Sequence, residues 1–504
     1  MAAARARSLR AALSLALVAL VVPAAAVTAT AAPGAPNTPR YTAGAPGAGD
    51  AYFPYAGNGG FDVRHYDLDL TYTPPGPAPA PLEGHLDAVA TLDLVATQDL
   101  DRLNLDLRGL DVASVTVDGN PAAEVAAPPT GGTVEGAAYW QVQDDAARVW
   151  ELTVQPRPKL KSGERATVVI EYGGTTTRPR DIEGALYGWV TTRDGAMVVG
   201  EPEGTMTWFP VSDHPTDKAT YDFEITVPDG KVAVANGLQS RPATTANGWT
   251  TWYWDAPDAQ ASYLATATVG DFDLTTQSAG GLPIVNAVDR DLTAANRTTT
   301  LANLARQPAM IAFFVDQFGP YPFGSYGAVV DDDSVGYALE TQTRPFYSRV
   351  ANEGTVAHEL AHQWFGNAVS PQRWQDIWLN EGWATYCSWL WSEERGNTTA
   401  QQSFDNVMAI PATSSFWNLA LADPGPTGLF ASPVYNRGAA TLHALRQKIG
   451  DADFLAGARL WLERYDDGDA TTEDFEAVYE EASGQDLSAF FDVWLRDRVK
   501  PTSW

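Results

Sequence analysis

Two histidines, His358 and His362, lie four positions apart in a segment with apolar and aromatic neighbours. Residues at this spacing lie on one face of an α-helix, so the two imidazoles can reach a single metal ion. The glutamate between them completes a His-Glu-x-x-His pattern, which places Glu359 beside the water that a bound zinc ion activates. We therefore predict that His358 and His362 are zinc ligands and that Glu359 is the general base.

A catalytic zinc ion takes three protein ligands and keeps a further position open, so a third ligand must come from elsewhere. Glu381 is separated from His362 by 18 residues and lies at the apparent start of the next helix. A connection of that length lets the second helix return antiparallel and deliver its carboxylate to the same ion. The alternatives are two exposed histidines and a glutamate that only stabilises a helix N-terminus. The combined spacing favours a zinc site with Glu381 as the third ligand.

Two kinds of segment must position these side chains. From residue 52 to 272 the chain has short runs of alternating polar and apolar residues, such as His65–Tyr72, separated by Gly, Pro and Asp. This pattern predicts an all-β domain of sandwich or saddle type. Residues 273–504 are predicted to be mainly α-helical, with a small sheet that includes Tyr326–Val330. Helices are predicted over residues 301–318, 355–368, 379–394, 439–449, 453–465 and 487–498, and Thr471 is predicted to cap another.

The beginning of the chain indicates where the protein acts. Arg5, Arg7 and Arg10 precede an apolar run, and Ala29-Thr30-Ala31 fits a cleavage site. Residues 1–31 are therefore predicted to be a signal peptide, residues 32–51 a flexible linker, and the protein to be secreted. The single cysteine, Cys387, excludes an intrachain disulfide and is predicted to be buried.

The charge of the chain limits its partners. It has 33 Lys and Arg against 62 Asp and Glu, a formal net charge of −29. Nucleic acid and anionic membranes need a positive surface, so neither is expected to bind. No segment after the signal peptide predicts a membrane span. We expect a monomer.

The motifs together resemble the aminopeptidase N family of zinc peptidases, the gluzincins, from about Phe61 to Leu495. Besides His-Glu-x-x-His and Glu381, the resemblance covers Asp62–Leu68, Phe209–Pro215 and Phe318–Phe323. It implies a β saddle or sandwich domain followed by a thermolysin-like catalytic domain, one zinc ion per chain, and peptides with a free N-terminus as substrates.

The resemblance also implies roles for four more residues. Glu340 and Ala338 lie in a segment similar to the family motif Gly-x-Met-Glu-Asn, whose glutamate binds the substrate amine. Glu201 begins a segment similar to Glu-Ala-Glu-Gly and is predicted to be the second amine ligand. Tyr435 is predicted to stabilise the oxyanion through its hydroxyl.

Three positions of that motif depart from the family pattern: Tyr337, Leu339 and Thr341 replace the glycine, methionine and asparagine. We expect these departures to affect the shape of the substrate pocket more than amine recognition. Larger relatives continue into a helical domain that roofs the site, whereas the resemblance here stops near residue 495, so we expect a more open cleft. The alternatives are a thermolysin-like endopeptidase and an inactive binding protein with the same fold.

Overall fold

The computed structural model describes residues 40–128, 132 and 134–502. The predicted signal peptide, residues 1–31, and residues 32–39 of the predicted linker lie outside the described residues. From Tyr41 onward the chain forms one compact unit.

Strands dominate the first half of the described chain. Along them burial alternates, as in Lys218–Pro228, where every second side chain is buried. This alternation is what a sheet with one face on a hydrophobic core produces. The strands are β1 (Thr42–Ala43), β2 (Phe61–Thr73), β3 (Gly84–Ala96), β4 (Leu100–Asp106), β5 (Asp111–Val117), β6 (Asn120–Glu124), β7 (Ala138–Asp144), β8 (Val149–Gln155), β9 (Arg165–Thr176), β10 (Gly188–Thr191), β11 (Ala196–Val199), β12 (Lys218–Pro228), β13 (Val232–Ala235), β14 (Leu238–Ala246), β15 (Trp249–Ala261) and β16 (Ala267–Gly270).

Two sheets are built from these strands. Within the described residues the larger sheet has the order β1-β4-β8-β7-β6-β5-β9-β3-β2-β12-β15-β14, and the smaller has the order β10-β11-β16-β13. Strand β2 pairs antiparallel with β3 and parallel with β12. The predicted all-β first half is confirmed.

The second half is mainly helical, also as predicted. Its helices are α1 (Ala294–Leu304), α2 (Gln307–Phe318), α3 (Glu353–Ala361), α4 (Trp378–Glu394), α5 (Ala400–Met408), α6 (Ser432–Ile449), α7 (Asp451–Tyr465), α8 (Thr472–Ser483) and α9 (Ser488–Phe491). Its strands are β17 (Phe272–Ala279), β18 (Leu282–Asp289), β19 (Tyr326–Asp331), β20 (Ala338–Leu339), β21 (Phe346–Ser348), β22 (Val369–Pro371) and β23 (Gly468–Ala470). Five of these strands form one sheet in the order β17-β18-β19-β21-β20, which leaves β20 at an edge.

Several helix bounds differ from the prediction for local reasons. The helix predicted over 301–318 is two helices, because α2 starts anew with Pro308 in its first turn. The helix predicted over 355–368 ends at Ala361, and Gly366 then turns the chain with a φ of 128°. Helix α6 begins seven residues before the predicted 439, and the last predicted helix is the short α9 followed by one π-helical turn. The predicted cap at Thr471 is confirmed by a capping box with Asp474.

The described part of the predicted linker is anchored to the fold. Strand β1 pairs in parallel with β4. The buried carboxylate of Asp50 accepts hydrogen bonds from the backbone N–H groups of Tyr52 at 2.7 Å and Trp374 at 2.9 Å. The chain therefore joins the fold before residue 52, earlier than predicted, and the domain boundaries stay predictions. Cys387 is buried. Among the described residues, no helix has the length and apolar character needed to cross a membrane.

Candidate active site

Helices α3 and α4 bring the three predicted metal ligands together. The Nε2 atoms of His358 and His362 lie 3.1 Å apart, and Oε2 of Glu381 lies 3.1 Å from the first and 3.5 Å from the second. One turn of α3 sets the two imidazoles on the same face, and Glu381 comes from the first turn of α4. The convergence of two nitrogens and one carboxylate oxygen forms a three-ligand cluster.

The donor chemistry of this cluster fits zinc. Two imidazole nitrogens and one carboxylate are a common protein ligand set of catalytic zinc sites. The Nδ1 atom of His362 lies 3.1 Å from the carbonyl oxygen of Phe365 and can donate a hydrogen bond to it. That contact favours the tautomer whose Nε2 lone pair faces the cluster, a frequent arrangement for metal-binding histidines.

A close helix crossing brings Tyr435 to the same place. Where α4 meets α6, a Cβ atom added to Gly438 would lie only 2.8 Å from the Cα atom of Gly382. Two glycines at the crossing therefore let the helix backbones approach closely. Glu381 precedes one of these glycines, and Tyr435 lies one turn before the other. The ring of Tyr435 stacks over that of His358, with centroids 6.0 Å apart and planes inclined by 22°.

These residues line a cavity of about 570 Å³. Every residue predicted for the site borders it. The lining comprises Asp181, Glu183, Ala185, Glu201, Tyr337, Ala338, Glu340, Gly354, Thr355, His358, Glu359, His362, Glu381, Thr385, Ser388, Phe430, Tyr435 and Asn436. The structure therefore brings together residues from both halves of the chain, separated by more than two hundred positions.

Glu340 and Glu201 are buried at this cavity with unused hydrogen-bonding capacity. They are 2% and 7% exposed. Oε1 of each is buried and has no hydrogen-bond partner among the described residues. Oε1 of Glu340 lies 4.0 Å from Nδ1 of His362, so the acid adjoins the metal cluster. Two buried carboxylates with no lysine or arginine partner in the described chain are suited to binding a positively charged group.

Ala338 is held on the edge strand next to Glu340. It pairs with Tyr347 of β21, and Leu339 pairs with Phe346. Because β20 is the outer strand of its sheet in the described structure, its far side is available for an extended peptide. This position fits the predicted substrate contact.

Two polar residues that the sequence analysis missed position this strand. Nδ2 of Asn367 and Nε2 of Gln363 donate hydrogen bonds to the backbone carbonyl of Glu340 at 2.8 and 3.2 Å. Both residues are buried and follow closely after His362. The sequence signal that could have identified them is their polar character within a mainly apolar stretch.

The departures from the family motif have different consequences. Tyr337 lines the cavity, and its hydroxyl donates a hydrogen bond to the carbonyl of Leu186 at 2.6 Å. Leu339 is buried in the hydrophobic core of the β-rich half, and the buried hydroxyl of Thr341 bonds to the carbonyl of Arg344. Only Tyr337 therefore changes the shape of the cavity directly.

Two further acids, Asp181 and Glu183, also line the cavity and were not predicted. They lie in the connection between β9 and β10. Nothing in the sequence distinguishes them from the many other acidic residues, because their place depends on how the two halves pack.

The electrostatics of the site follow from burial and close acids. Burial raises the pKa values of Glu359 and Glu201 well above the usual value of a glutamate, and neighbouring carboxylates add to the increase. Burial alone would also raise the pKa of Glu381, but His362 and His358 outweigh it and lower the pKa to about 2. Burial lowers the pKa of His362, while Glu340 and Glu381 outweigh that effect and raise it to about 10. The site therefore favours bound positive charge.

The sequence is similar to known peptidase families along most of its length. The profile of the Peptidase M1 N-terminal domain matches residues 63–264, and that of the Peptidase family M1 domain matches residues 308–494. Glutamyl aminopeptidase from Homo sapiens is 27% identical over 60% of this chain and 34% of its own length. Aminopeptidase M1-B from Oryza sativa subsp. japonica is 28% identical over 79% of this chain and 50% of its own length. The chain thus spans half or less of these two relatives.

Solved structures give a similar result. The M1 zinc metallopeptidase from Deinococcus radiodurans superposes with a TM-score of 0.77 at 28% identity. The superposition covers 90% of this chain and 99% of that one. A mutant of the Deinococcus radiodurans protein has been solved with the peptide Tyr-Ser-Ala as bound substrate.

Proposed function

The chain belongs to peptidase family M1, and on that premise we propose that it is a zinc aminopeptidase that removes the first residue of peptides with a free N-terminus. His358, His362 and Glu381 would hold the zinc ion. When bound there, zinc supplies Lewis acidity, which lowers the pKa of a water molecule and polarises the scissile carbonyl.

The protein's own residues complete the reaction. Glu359 takes a proton from the attacking water and passes it to the leaving amine. Its place suits it to this task, because Glu359 follows His358 in α3 and lines the cavity next to the metal cluster. The hydroxyl of Tyr435, held over His358, donates a hydrogen bond to the oxyanion that develops on the carbonyl.

The observation that carries the proposal is the pair of buried acids beside the metal cluster, each with one carboxylate oxygen that has no hydrogen-bond partner among the described residues. Glu340 and Glu201 would bind the α-ammonium group of the substrate, which compensates their buried charge. With the amine fixed there, only the first peptide bond reaches the metal cluster. An endopeptidase has no need for two unpaired carboxylates at this place.

Blocking the substrate amine tests the proposal. An alanyl or arginyl p-nitroanilide and its N-acetylated form should differ by at least about 10³-fold in kcat/KM, because acetylation removes the charge that the two acids bind. Glu340→Gln should raise KM for the anilide with a free amine. The ratio of kcat/KM between the free and the acetylated anilide should therefore become smaller. Equal hydrolysis of free and acetylated forms would instead identify an endopeptidase.

We also propose that the protein is secreted. The basic residues, apolar run and Ala-x-Ala site within residues 1–31 support this. The amino-terminal sequence of protein recovered from the culture medium of an expressing host should begin at or near residue 32. Recovery only from cells, with residues 1–31 retained, would contradict it.

A further inference from the structure

Three aspartates, Asp289, Asp331 and Asp332, lie together outside the active-site cavity. Asp289 ends β18 and Asp331 ends β19, and these strands are parallel, with Val288 opposite Val330. Parallel pairing therefore places the two aspartates side by side at the carboxyl edge of the sheet, where ligands often bind. One carboxylate oxygen of each aspartate lies within 4.8 Å of those of the other two.

Two of these aspartates are buried with an unpaired oxygen. Asp289 and Asp331 are 1% and 0% exposed. Oδ1 of Asp289 accepts a hydrogen bond from the N–H of Asp291 at 2.6 Å, and Oδ1 of Asp331 accepts one from Asp333 at 2.8 Å. Oδ2 of both residues is inaccessible and has no hydrogen-bond partner in the part of the chain that is described. Such an oxygen is costly unless a cation or donor meets it.

Arg178 and Lys231, two nearby basic residues, are paired with other acids, and the exposed Arg349 acts on Asp332 only through its charge. Arg178 lies 2.7 Å from Asp333, and Lys231 lies 2.8 Å from Asp271. Over the described ranges, no lysine or arginine lies within ion-pair distance of the three clustered aspartates. The two buried carboxyl groups therefore have no lysine or arginine as a direct partner in the described chain.

Burial and neighbouring carboxylates both disfavour the ionised form of the three aspartates. Burial, together with Asp194 and Asp332, raises the pKa of Asp289 to about 7. Burial raises the pKa of Asp331 well above its usual value, and neighbouring carboxylates contribute. Burial also raises the pKa of Asp332. Arg349 opposes the increase at Asp332 but has no such effect on Asp289 or Asp331. A bound divalent cation would relieve this repulsion.

We propose that Asp289, Asp331 and Asp332 bind a calcium ion. All the donors are carboxylate oxygens, which are hard ligands preferred by Ca²⁺ and Mg²⁺ and poorly suited to zinc in competition with the histidine cluster. Calcium accepts irregular arrangements of oxygens and gives up water readily, whereas magnesium keeps several waters in an octahedral shell. Asp332 is exposed, so water can complete the larger and less regular oxygen shell that calcium takes around the three carboxylates.

The location gives the ion a structural task. Residues 332–337 connect β19 to β20, and Glu340 follows directly after β20. Tyr337 of this connection lines the cavity. A calcium ion on Asp331 and Asp332 would fix the start of the segment that carries the substrate contacts. Calcium binding should therefore stabilise the fold strongly and slightly lower KM for peptide substrates.

Calorimetric titration tests the proposal on the zinc-loaded full chain prepared in calcium-free buffer. One Ca²⁺ should bind per chain, and Mg²⁺ should bind at least about tenfold more weakly. In 2 mM CaCl₂ the Tm should rise by at least about 3 °C, because the ion binds only the folded state. This readout does not depend on peptidase activity.

Matched variants locate the ion. Asp332→Asn changes an exposed ligand and should fold, yet weaken Ca²⁺ binding at least about tenfold. Asp331→Asn should fold in calcium-free buffer, because the amide has the same size and its oxygen can still accept the hydrogen bond from Asp333, and should abolish the response to calcium. Asp333→Asn removes the same charge one residue further on, where the carboxylate is paired with Arg178, and should keep calcium binding.

The results that would overturn the proposal are equally specific. The absence of binding heat and of a Tm shift up to 10 mM CaCl₂ would exclude the site. A calcium response in Asp331→Asn and Asp332→Asn equal to that of the unchanged protein would place the ion elsewhere. Equal affinity for Mg²⁺ would refute the assignment to calcium.

Discussion

The active-site cluster and the aspartate cluster at the ends of β18 and β19 both gather buried carboxylates, but their surroundings differ. In the first, two histidines and Glu381 converge at a cavity of about 570 Å³. In the second, the grouped ligands are carboxylates alone, and no member lines that cavity. The first therefore suits a zinc ion that needs room for substrate, and the second suits a cation held at the ends of two neighbouring strands.

The difference also concerns which property each cluster controls. Helices present the catalytic side chains without making the fold depend on each one, so changes there should affect rate more than stability. The strand-end aspartates join two neighbouring strands and a connection, so changes there should affect stability more than rate. The following predictions test this separation, from the largest effect to the smallest.

Removal of zinc should have the largest effect on activity. Dialysis against 1,10-phenanthroline should abolish peptidase activity, because the Lewis acid is lost. Added Zn²⁺ should restore it, whereas Ca²⁺ should not, since the histidine cluster disfavours a hard cation. Activity and bound metal, measured by atomic emission on the same samples, check this. Recovery of peptidase activity with calcium alone would show that the two clusters do not differ in the metal they bind.

Glu359→Gln should lower kcat by about 10³-fold or more, because it removes the group that moves the proton. Zinc content should be unchanged and the Tm should stay within about 1 °C, since the amide has the same size. Single-turnover kinetics and metal analysis test both parts. Near-normal turnover would exclude Glu359 as the base.

Tyr435→Phe should lower kcat by about 10²-fold with little change in KM, as expected for a donor that acts on the oxyanion. The ring that packs over His358 is retained, so the Tm should not change. Steady-state kinetics with one aminoacyl anilide measure the two constants. A rise in KM alone would assign the hydroxyl to substrate binding.

His443 provides a reference outside both clusters, and its effect should be the smallest. Burial and then Arg446 lower its pKa to about 4, against the opposite influence of Glu393, Asp405 and Asp451. The unfolded chain binds a proton near pH 6.5, whereas the folded chain resists it until about pH 4. The free energy of unfolding should therefore fall as the pH drops between these values.

His443→Gln removes that titration and should flatten this part of the pH dependence. Urea unfolding at pH 7, 6, 5 and 4.5 compares the two proteins. Parallel pH profiles would show that His443 does not contribute.

The cluster of proposed zinc ligands was predictable because the information that specifies it is local. A four-residue spacing fixes two imidazoles on one helix face whatever surrounds the helix, and Glu381 follows at a characteristic distance. The β-rich and helical halves were predictable for the same reason, since periods of two and 3.6 residues reflect which side is buried. Helix ends were harder: Pro308 and Gly366 set bounds that the apolar pattern did not indicate.

The sequence by itself determined which side chains can bind zinc and the kind of element that carries each of them. Only the tertiary structure decided that Gly382 and Gly438 let two helices approach closely. It alone showed that Asn367 binds the backbone carbonyl of Glu340 and that Asp289 lies beside Asp331. The physical reason is that these contacts join positions far apart in the chain, whose proximity depends on packing and strand order. Spacing along a sequence carries no record of such distances.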